Sequence, residues 1–170
     1  EIRMAIKKGV LLINAESESE VNLINKVSKK ISKKTSIGIR LNPNIRGKTH
    51  KKISTAGRGE KFGLLYNSFI NLCRKIKKMK NLKLEGLSVH IGSQIINIKP
   101  FEDVLFILNK LLKITKIDFK YVDLGGGMGI SYSNKEKKIN LKKYSQLVEK
   151  FKKNKNVKII FEPGRIIIGN

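Results

Sequence analysis

Residues 84–94 read LEGLSVHIGSQ, and Leu84 to His90 have the length and apolar content of a buried strand. The residues after the strand differ in kind: Gly92, Ser93 and Gln94 are small or hydrogen-bonding groups placed where the strand ends. The same pattern recurs outward in both directions. Toward the carboxyl end, Pro100 suits the first turn of a helix whose apolar stripe is Val104, Leu105, Leu108, Leu111 and Leu112. Phe119 to Leu124 is the next strand. Leu141, Tyr144, Leu147, Val148 and Phe151 then keep helical spacing, and Val157 to Phe161 is a last strand. Toward the amino end, Leu65, Phe69, Leu72, Cys73 and Ile76 form a helix preceded by a strand from Ser36 to Leu41. Ser17 and Glu20 make an S-x-x-E capping box ahead of Val21, Ile24, Val27 and Ile31, and Val10 to Asn14 is the first strand. Between them, Asn42 to Gly63 carries Pro43, four glycines and few large apolar residues, the composition of a long loop. Loops of that length inside compact domains are usually functional or disordered.

Five strands alternating with four helices predict an α/β fold with a parallel sheet of right-handed βαβ units, one domain over 1–170. An open doubly wound sheet and a (β/α)8 barrel both satisfy the alternation. Both place function just past the carboxyl ends of the strands.

Charge points elsewhere at first. Lys and Arg number 37 against 13 Asp and Glu, a formal charge of +24, and such a balance suggests nucleic acid. The cations, however, are 31 Lys and only six Arg, spread over every segment. Lys, Ile and Asn together make 71 of 170 residues, and these types share A/T-rich codons. Codon bias accounts for the composition, and the 11 aromatic residues, with no Trp, offer little stacking platform; no nucleic-acid partner is expected. A single Cys cannot form an intrachain disulfide, and His50 and His90 lie too far apart for a zinc cluster. No apolar run reaches the ~20 residues of a membrane span. Glu1-Ile-Arg-Met shows no signal-peptide core, so a soluble protein of a reducing, cytoplasmic compartment is expected.

Four groups of chemically capable residues sit where predicted strands end: Arg40 in Ile39-Arg-Leu-Asn-Pro43; His90 with Ser93 and Gln94; Asp123-Leu-Gly-Gly-Gly-Met-Gly129; and Glu162-Pro163-Gly164-Arg165. Gly125, Gly126 and Gly127 have no side chains, so their amides can approach an anion closely, a phosphate being the natural guest. Their spacing is neither a Rossmann fingerprint nor a Walker A loop. Taken alone, the run reads first as a tight turn at a barrel corner, and His90 as a satisfied core histidine. Glu162 beside Arg165 reads as a structural ion pair, or as a carboxylate facing a protonated ligand nitrogen with Arg165 on an anion. Together they describe one ligand with a flat ring for His90, a phosphate for the glycines and Ser93, and a cationic nitrogen for Glu162. Pyridoxal phosphate has all three.

The segments Ile39-Arg-Leu-Asn-Pro43, Thr49-His50, Ile53-Ser-Thr55, Lys61-Phe-Gly63, His90-Ile-Gly-Ser-Gln94, Gly125-Gly-Gly-Met-Gly129 and Glu162-Pro-Gly-Arg165 resemble, in order and separation, the diaminopimelate decarboxylase family. The H-I-G-S-Q, G-G-G and E-P-G-R motifs are shared with the wider group that includes ornithine and arginine decarboxylases; the T-H, I-S-T and K-F-G stretch is what resembles the diaminopimelate member. The resemblance implies a pyridoxal-phosphate-binding barrel of the alanine-racemase type, followed by a second β domain that this chain lacks. It implies His90 against the cofactor ring, Ser93 and the Gly125 to Gly127 amides on the phosphate, and Glu162 on the pyridine nitrogen. Pro163 and Gly164 belong to the same cofactor-binding motif, Arg165 would bind phosphate or the substrate carboxylate, and Arg40 would lie near the cofactor. The implied reaction converts meso-2,6-diaminopimelate to L-lysine and CO2, with His90 and Glu162 as catalytic groups, in a homodimer. On this reading the chain is the central part of a barrel, about five of its eight strands, inactive by itself. The lysine that would hold the cofactor covalently and the catalytic cysteine lie outside it, and Cys73, among core residues, is no substitute. The alternatives are a related enzyme acting on ornithine or arginine, and a non-catalytic pyridoxal-phosphate carrier of the same barrel type.

Overall fold

The computed structural model describes residues 1–45, 62–132 and 138–169. Thr49-His50, Ile53-Ser-Thr55 and Lys61 lie outside them, as does most of the predicted loop. Strands β1 (Ile13–Ala15), β2 (Thr35–Leu41), β3 (Leu82–Val89), β4 (Tyr121–Asp123) and β5 (Lys158–Ile160) form one sheet in the order β1-β2-β3-β4-β5, every pair parallel. Helices α2 (Glu18–Lys30), α3 (Tyr66–Ile76), α4 (Lys99–Thr115) and α5 (Leu141–Lys152) make the crossovers. Each has the amphipathic spacing that the sequence predicts, and each turns that stripe onto the sheet: Val21 and Ile24, Phe69 and Leu72, Leu108 and Leu111, and Val148 and Phe151 are buried. They meet Ile37, Ile39, Leu41, Leu87, Val89 and Val122 from the strands in a single core.

Two short helices have no counterpart in the sequence reading: α1 (Ile2–Lys8), closed by Gly9 in the left-handed conformation, and α6 (Arg165–Ile168). Neither is long enough to display an apolar period. The capping box is present in modified form. Ser17 Oγ accepts from the Glu20 amide at 3.2 Å, while the Glu20 carboxylate accepts from the amide of Glu16 rather than from that of Ser17. Among the described residues no helix is long and apolar enough to cross a membrane.

The strand order separates the two candidate architectures. A doubly wound sheet reverses direction at a switch point; here each strand is added to the same edge, as in a (β/α)8 barrel. Curvature agrees. Asn14 in β1 and Asp123 in β4 stand three strand positions apart, about 14 Å along a flat sheet. Yet Asn14 Nδ2 donates to Asp123 Oδ2 at 2.8 Å. The bond crosses the concave face over Gly38 and Gly86, which are paired in register. A Cβ on Gly38 would lie 2.1 Å from Asn14 Oδ1, and one on Gly86 would lie 2.5 Å from Leu12 Cδ2. The sheet curls this tightly because those two positions carry no side chain. The fold is the partial (β/α)8 barrel that the resemblance implies.

Candidate functional site

The polar residues gather at the carboxyl end of the curled sheet. His90 is the first residue past β3, Glu162 stands two past β5, and Asp123 ends β4. The register pairs Arg40 with Ser88 and Ser88 with Asp123, so Arg40, Ser88 and Asp123 form one row across the concave side.

Arg40 bridges two other strand ends. Its Nη1 meets Glu16 Oε1 at 2.5 Å, its Nη2 donates to the His90 carbonyl at 3.3 Å, and its guanidinium lies 5.4 Å from the centre of the Phe62 ring. Arg40 therefore anchors the backbone of His90. The imidazole is set from the other side: the Gly126 amide donates to His90 Nδ1 at 3.3 Å, which leaves the ring proton on Nε2. Burial and the Arg40 charge lower the His90 pKa, so the ring is neutral at physiological pH.

The loops after β3 and β4 are stitched together. Ile95 N donates to Gly127 O at 2.9 Å, Gly129 N donates to Ile95 O at 3.0 Å, and the Gln94 amide bonds both backbone groups of Ile130. The glycines are required by the closeness of this joint. Gly125 and Gly127 have φ of +63° and +88°. A Cβ on Gly126 would lie 2.1 Å from Glu162 O, and one on Gly127 would lie 2.1 Å from Gly92 O. The three amides are not equivalent. Gly125 N–H is given to Asp123 Oδ1 at 2.9 Å and Gly126 N–H to His90, whereas Gly127 N–H has no hydrogen-bond acceptor among the described residues.

Arg165 comes to the same end of the sheet from α6. Its Nη2 donates to Ser93 Oγ at 3.2 Å, and its Nη1 donates to the Tyr132 hydroxyl. Arg165 and Glu162 form no ion pair in the structure, so the structural-pair reading of these two residues has no support there. Gly164 leads into α6, and Gly164 N donates to Glu162 O at 3.0 Å, closing the turn that contains Pro163. Partial burial and the nearby Asp123 charge raise the Glu162 pKa, against the pull of Arg40.

The predicted residues Arg40, His90, Ser93, Gly125 to Gly127 and Glu162 to Arg165 thus converge on one end of one curled sheet. Asn14, Glu16 and Tyr132 belong to the same cluster and were not legible as such. They sit in unremarkable sequence, and only the closing of the sheet brings them in. Asp123 was visible as the start of the glycine motif but carried no assigned role.

A phosphorylated, ring-bearing group fits this set of donors. Gly127 N–H, Ser93 Oγ–H and the Arg165 guanidinium, from the segments after β4, β3 and β5, are groups that could each take an anion, beside an imidazole and a carboxyl group. Residues 1–169 match the family described as pyridoxal-dependent decarboxylase, pyridoxal binding domain. The diaminopimelate decarboxylase of Neisseria meningitidis serogroup A is 36% identical over 173 residues, which cover 100% of this chain and 42% of that protein. That of Aquifex aeolicus is 35% identical, covering 100% of this chain and 41% of the relative. The crystal structure of diaminopimelate decarboxylase from Helicobacter pylori complexed with L-lysine superposes with a TM-score of 0.92 at 35% identity, over 98% of this chain and 43% of that one. The chain spans about two fifths of the length of the curated relatives it matches.

Proposed function

Because the chain belongs to the pyridoxal-dependent decarboxylases and spans their pyridoxal-binding domain, we propose that the protein carrying it decarboxylates meso-2,6-diaminopimelate to L-lysine and CO2. The observation that carries this reading is the convergence of His90, Ser93, Gly127, Glu162 and Arg165 at the carboxyl end of a barrel sheet. The substrate follows from whole-chain identity to relatives named for diaminopimelate. The working form is a homodimer in the cytoplasm, and the chain is the central part of its barrel domain.

When bound, pyridoxal 5'-phosphate supplies an electron sink for the pair left on the substrate α-carbon as CO2 departs. The chain's own residues bind and orient. Ser93 Oγ–H, Gly127 N–H and the Arg165 guanidinium hold the phosphate; the guanidinium also reaches toward a substrate carboxylate. Gly125 and Gly126 contribute through their carboxylate and imidazole partners, holding Asp123 and His90 in place. Pro163 and Gly164 set the turn that presents Glu162 and Arg165 together. His90, neutral and pinned at Nδ1 and at its carbonyl, presents a flat face to the ring. Glu162 would face the ring nitrogen, where its carboxylate would favour the protonated, electron-withdrawing ring. Arg40 acts one step back, on the backbone of His90.

The test uses the complete protein, loaded with cofactor and assayed for CO2 release from meso-diaminopimelate, ornithine and arginine. Turnover of diaminopimelate is expected to dominate. Glu162→Ala should keep the cofactor's absorbance while kcat falls by roughly 10²-fold or more. Preference for ornithine or arginine would overturn the substrate assignment, and near-normal kcat would overturn the role of Glu162.

A further inference from the structure

Two sequence motifs, Ile39-Arg-Leu-Asn-Pro43 and Lys61-Phe-Gly63, are not among the groups that hold the phosphate or face the ring, yet the structure interlocks their described residues. The chain that enters α3 runs beside the end of β2. Leu41 and Leu64 form a parallel bridge, Leu64 N donates to Arg40 O at 2.9 Å, and Asn42 N donates to Leu64 O at 2.8 Å. Asn42, itself buried, adds its side chain: Nδ2 donates to Phe62 O at 3.3 Å. Gly63 permits the close approach, with φ of +79° and a position where an added Cβ would stand 3.1 Å from both Arg40 Cγ and Arg40 O. This docking brings the Phe62 ring to 5.4 Å from the guanidinium, within range of a cation–π attraction.

The guanidinium is thereby held on three sides. Beyond β1, Glu16 Oε1 accepts from Nη1 at 2.5 Å; the Phe62 ring covers the cation; and Nη2 donates to the His90 carbonyl at 3.3 Å. The Arg40 side chain is 15% exposed while Phe62 is 46% exposed, so the ring shields the cation from outside rather than filling the core. A guanidinium is a rigid planar fork, and fixing one nitrogen on a carboxylate fixes the direction of the other. That direction is passed to the backbone of His90, whose imidazole also meets the Gly126 amide.

We propose that Glu16 and Phe62 are positioning residues that set the His90 imidazole through Arg40, so that docking of residues 62–64 against β2 is coupled to the face offered to the cofactor. Both act on the guanidinium, and the guanidinium acts on the His90 carbonyl. The cofactor end of this coupling rests on the pyridoxal-phosphate reading above; the link from Phe62 to His90 does not.

The experiment takes the complete protein, freed of cofactor and labelled in its histidine rings, and follows the His90 resonance by NMR at about pH 8, where ordinary imidazoles are neutral. The resonance is identified by its loss in His90→Gln. Glu16→Gln and Phe62→Leu should each shift it. In an Arg40→Met background, which keeps the bulk and removes the fork, neither should shift it further, because the route to His90 is gone. Titration with pyridoxal 5'-phosphate then reads the same cycle as affinity: about tenfold weaker for Glu16→Gln and about threefold weaker for Phe62→Leu, with no further loss when either is combined with Arg40→Met. Effects that persist in the Arg40→Met background, or a resonance unmoved in Phe62→Leu, would overturn the proposal. Should Arg40→Met not fold, Phe62→Tyr decides: it keeps the aromatic face and should return the resonance to its wild-type position, and equal behaviour of the Leu and Tyr substitutions refutes the coupling. A wild type that binds no pyridoxal phosphate would refute the functional reading, while the cofactor-free resonance still decides the link from Phe62 to His90.

Discussion

Gly127→Ala isolates the part of the site that depends on backbone approach. Gly127 has φ of +88°, and a Cβ added there falls 2.1 Å from the Gly92 carbonyl oxygen. Real contacts of this kind need at least 3.0 Å, so the loops after β3 and β4 must part by about 1 Å. The left-handed backbone costs an alanine about 1–2 kcal/mol, and crowding a packed joint adds about 1–3 kcal/mol. The displacement falls between Ser93 and Gly127, two of the three proposed anion donors. A penalty of at least about 2 kcal/mol set against the closed geometry predicts a loss of roughly 30-fold or more in pyridoxal-phosphate affinity. The assay is a fluorescence or absorbance titration of the complete protein with the cofactor, with Tm measured in parallel. Lys29→Ala, exposed in the last turn of α2 and outside the site, is the control: affinity should stay within about threefold. If Gly127→Ala binds the cofactor within about threefold of wild type and melts at the same temperature, the tight joint is not what shapes the site.

Two further outcomes concern the opposite end of the sheet and the core. Burial pushes the Glu85 carboxyl up, but hydrogen bonds from Lys120, Ser36 and Lys83 outweigh it and bring the pKa down to about 2. A folded-state value below the ordinary carboxylate value contributes stability above that value and loses it as pH falls toward the lowered one. Glu85→Gln should therefore cost about 1–2 kcal/mol at neutral pH, and the Tm gap to wild type should close between about pH 4.5 and 2; a gap that persists unchanged with pH would contradict this. Burial pushes the Cys73 thiol up to about 12. At neutral pH it should resist iodoacetamide in the native protein and react fully once denatured, as read by mass spectrometry; rapid native alkylation would count against its place in the core.

Local periodicity carried most of the secondary structure. Helices α2 to α5 each bury three or more residues of one face, a pattern readable at spacings of three and four, whereas α1 and α6 are too short to show it. Strand ends shifted by a few residues: β1 runs from Ile13 to Ala15, later than the apolar run beginning at Val10 suggests. Val10 and Leu11 are exposed, so apolar content there does not mark the strand. That the glycine run permits close backbone approach was legible, because residue type alone decides it. That two of its three amides are given to Asp123 and His90 was not, since those acceptors are specified by side-chain orientation.

The sequence alone determined the alternation of strands and helices, and that His90, Ser93, the glycines and Glu162 follow strand ends, because both are local properties of residue type and spacing. Periodicity left an open sheet and a barrel both standing, and beyond the motif resemblance it was the tertiary structure that decided, because the alternation is identical in the two and the difference is the side on which each new strand is added. It also decided the partners. Asn14 and Asp123 are 109 residues apart and meet because the sheet curls over Gly38 and Gly86. Nothing in the neighbourhood of either residue encodes that contact; it exists only once the concave face has closed.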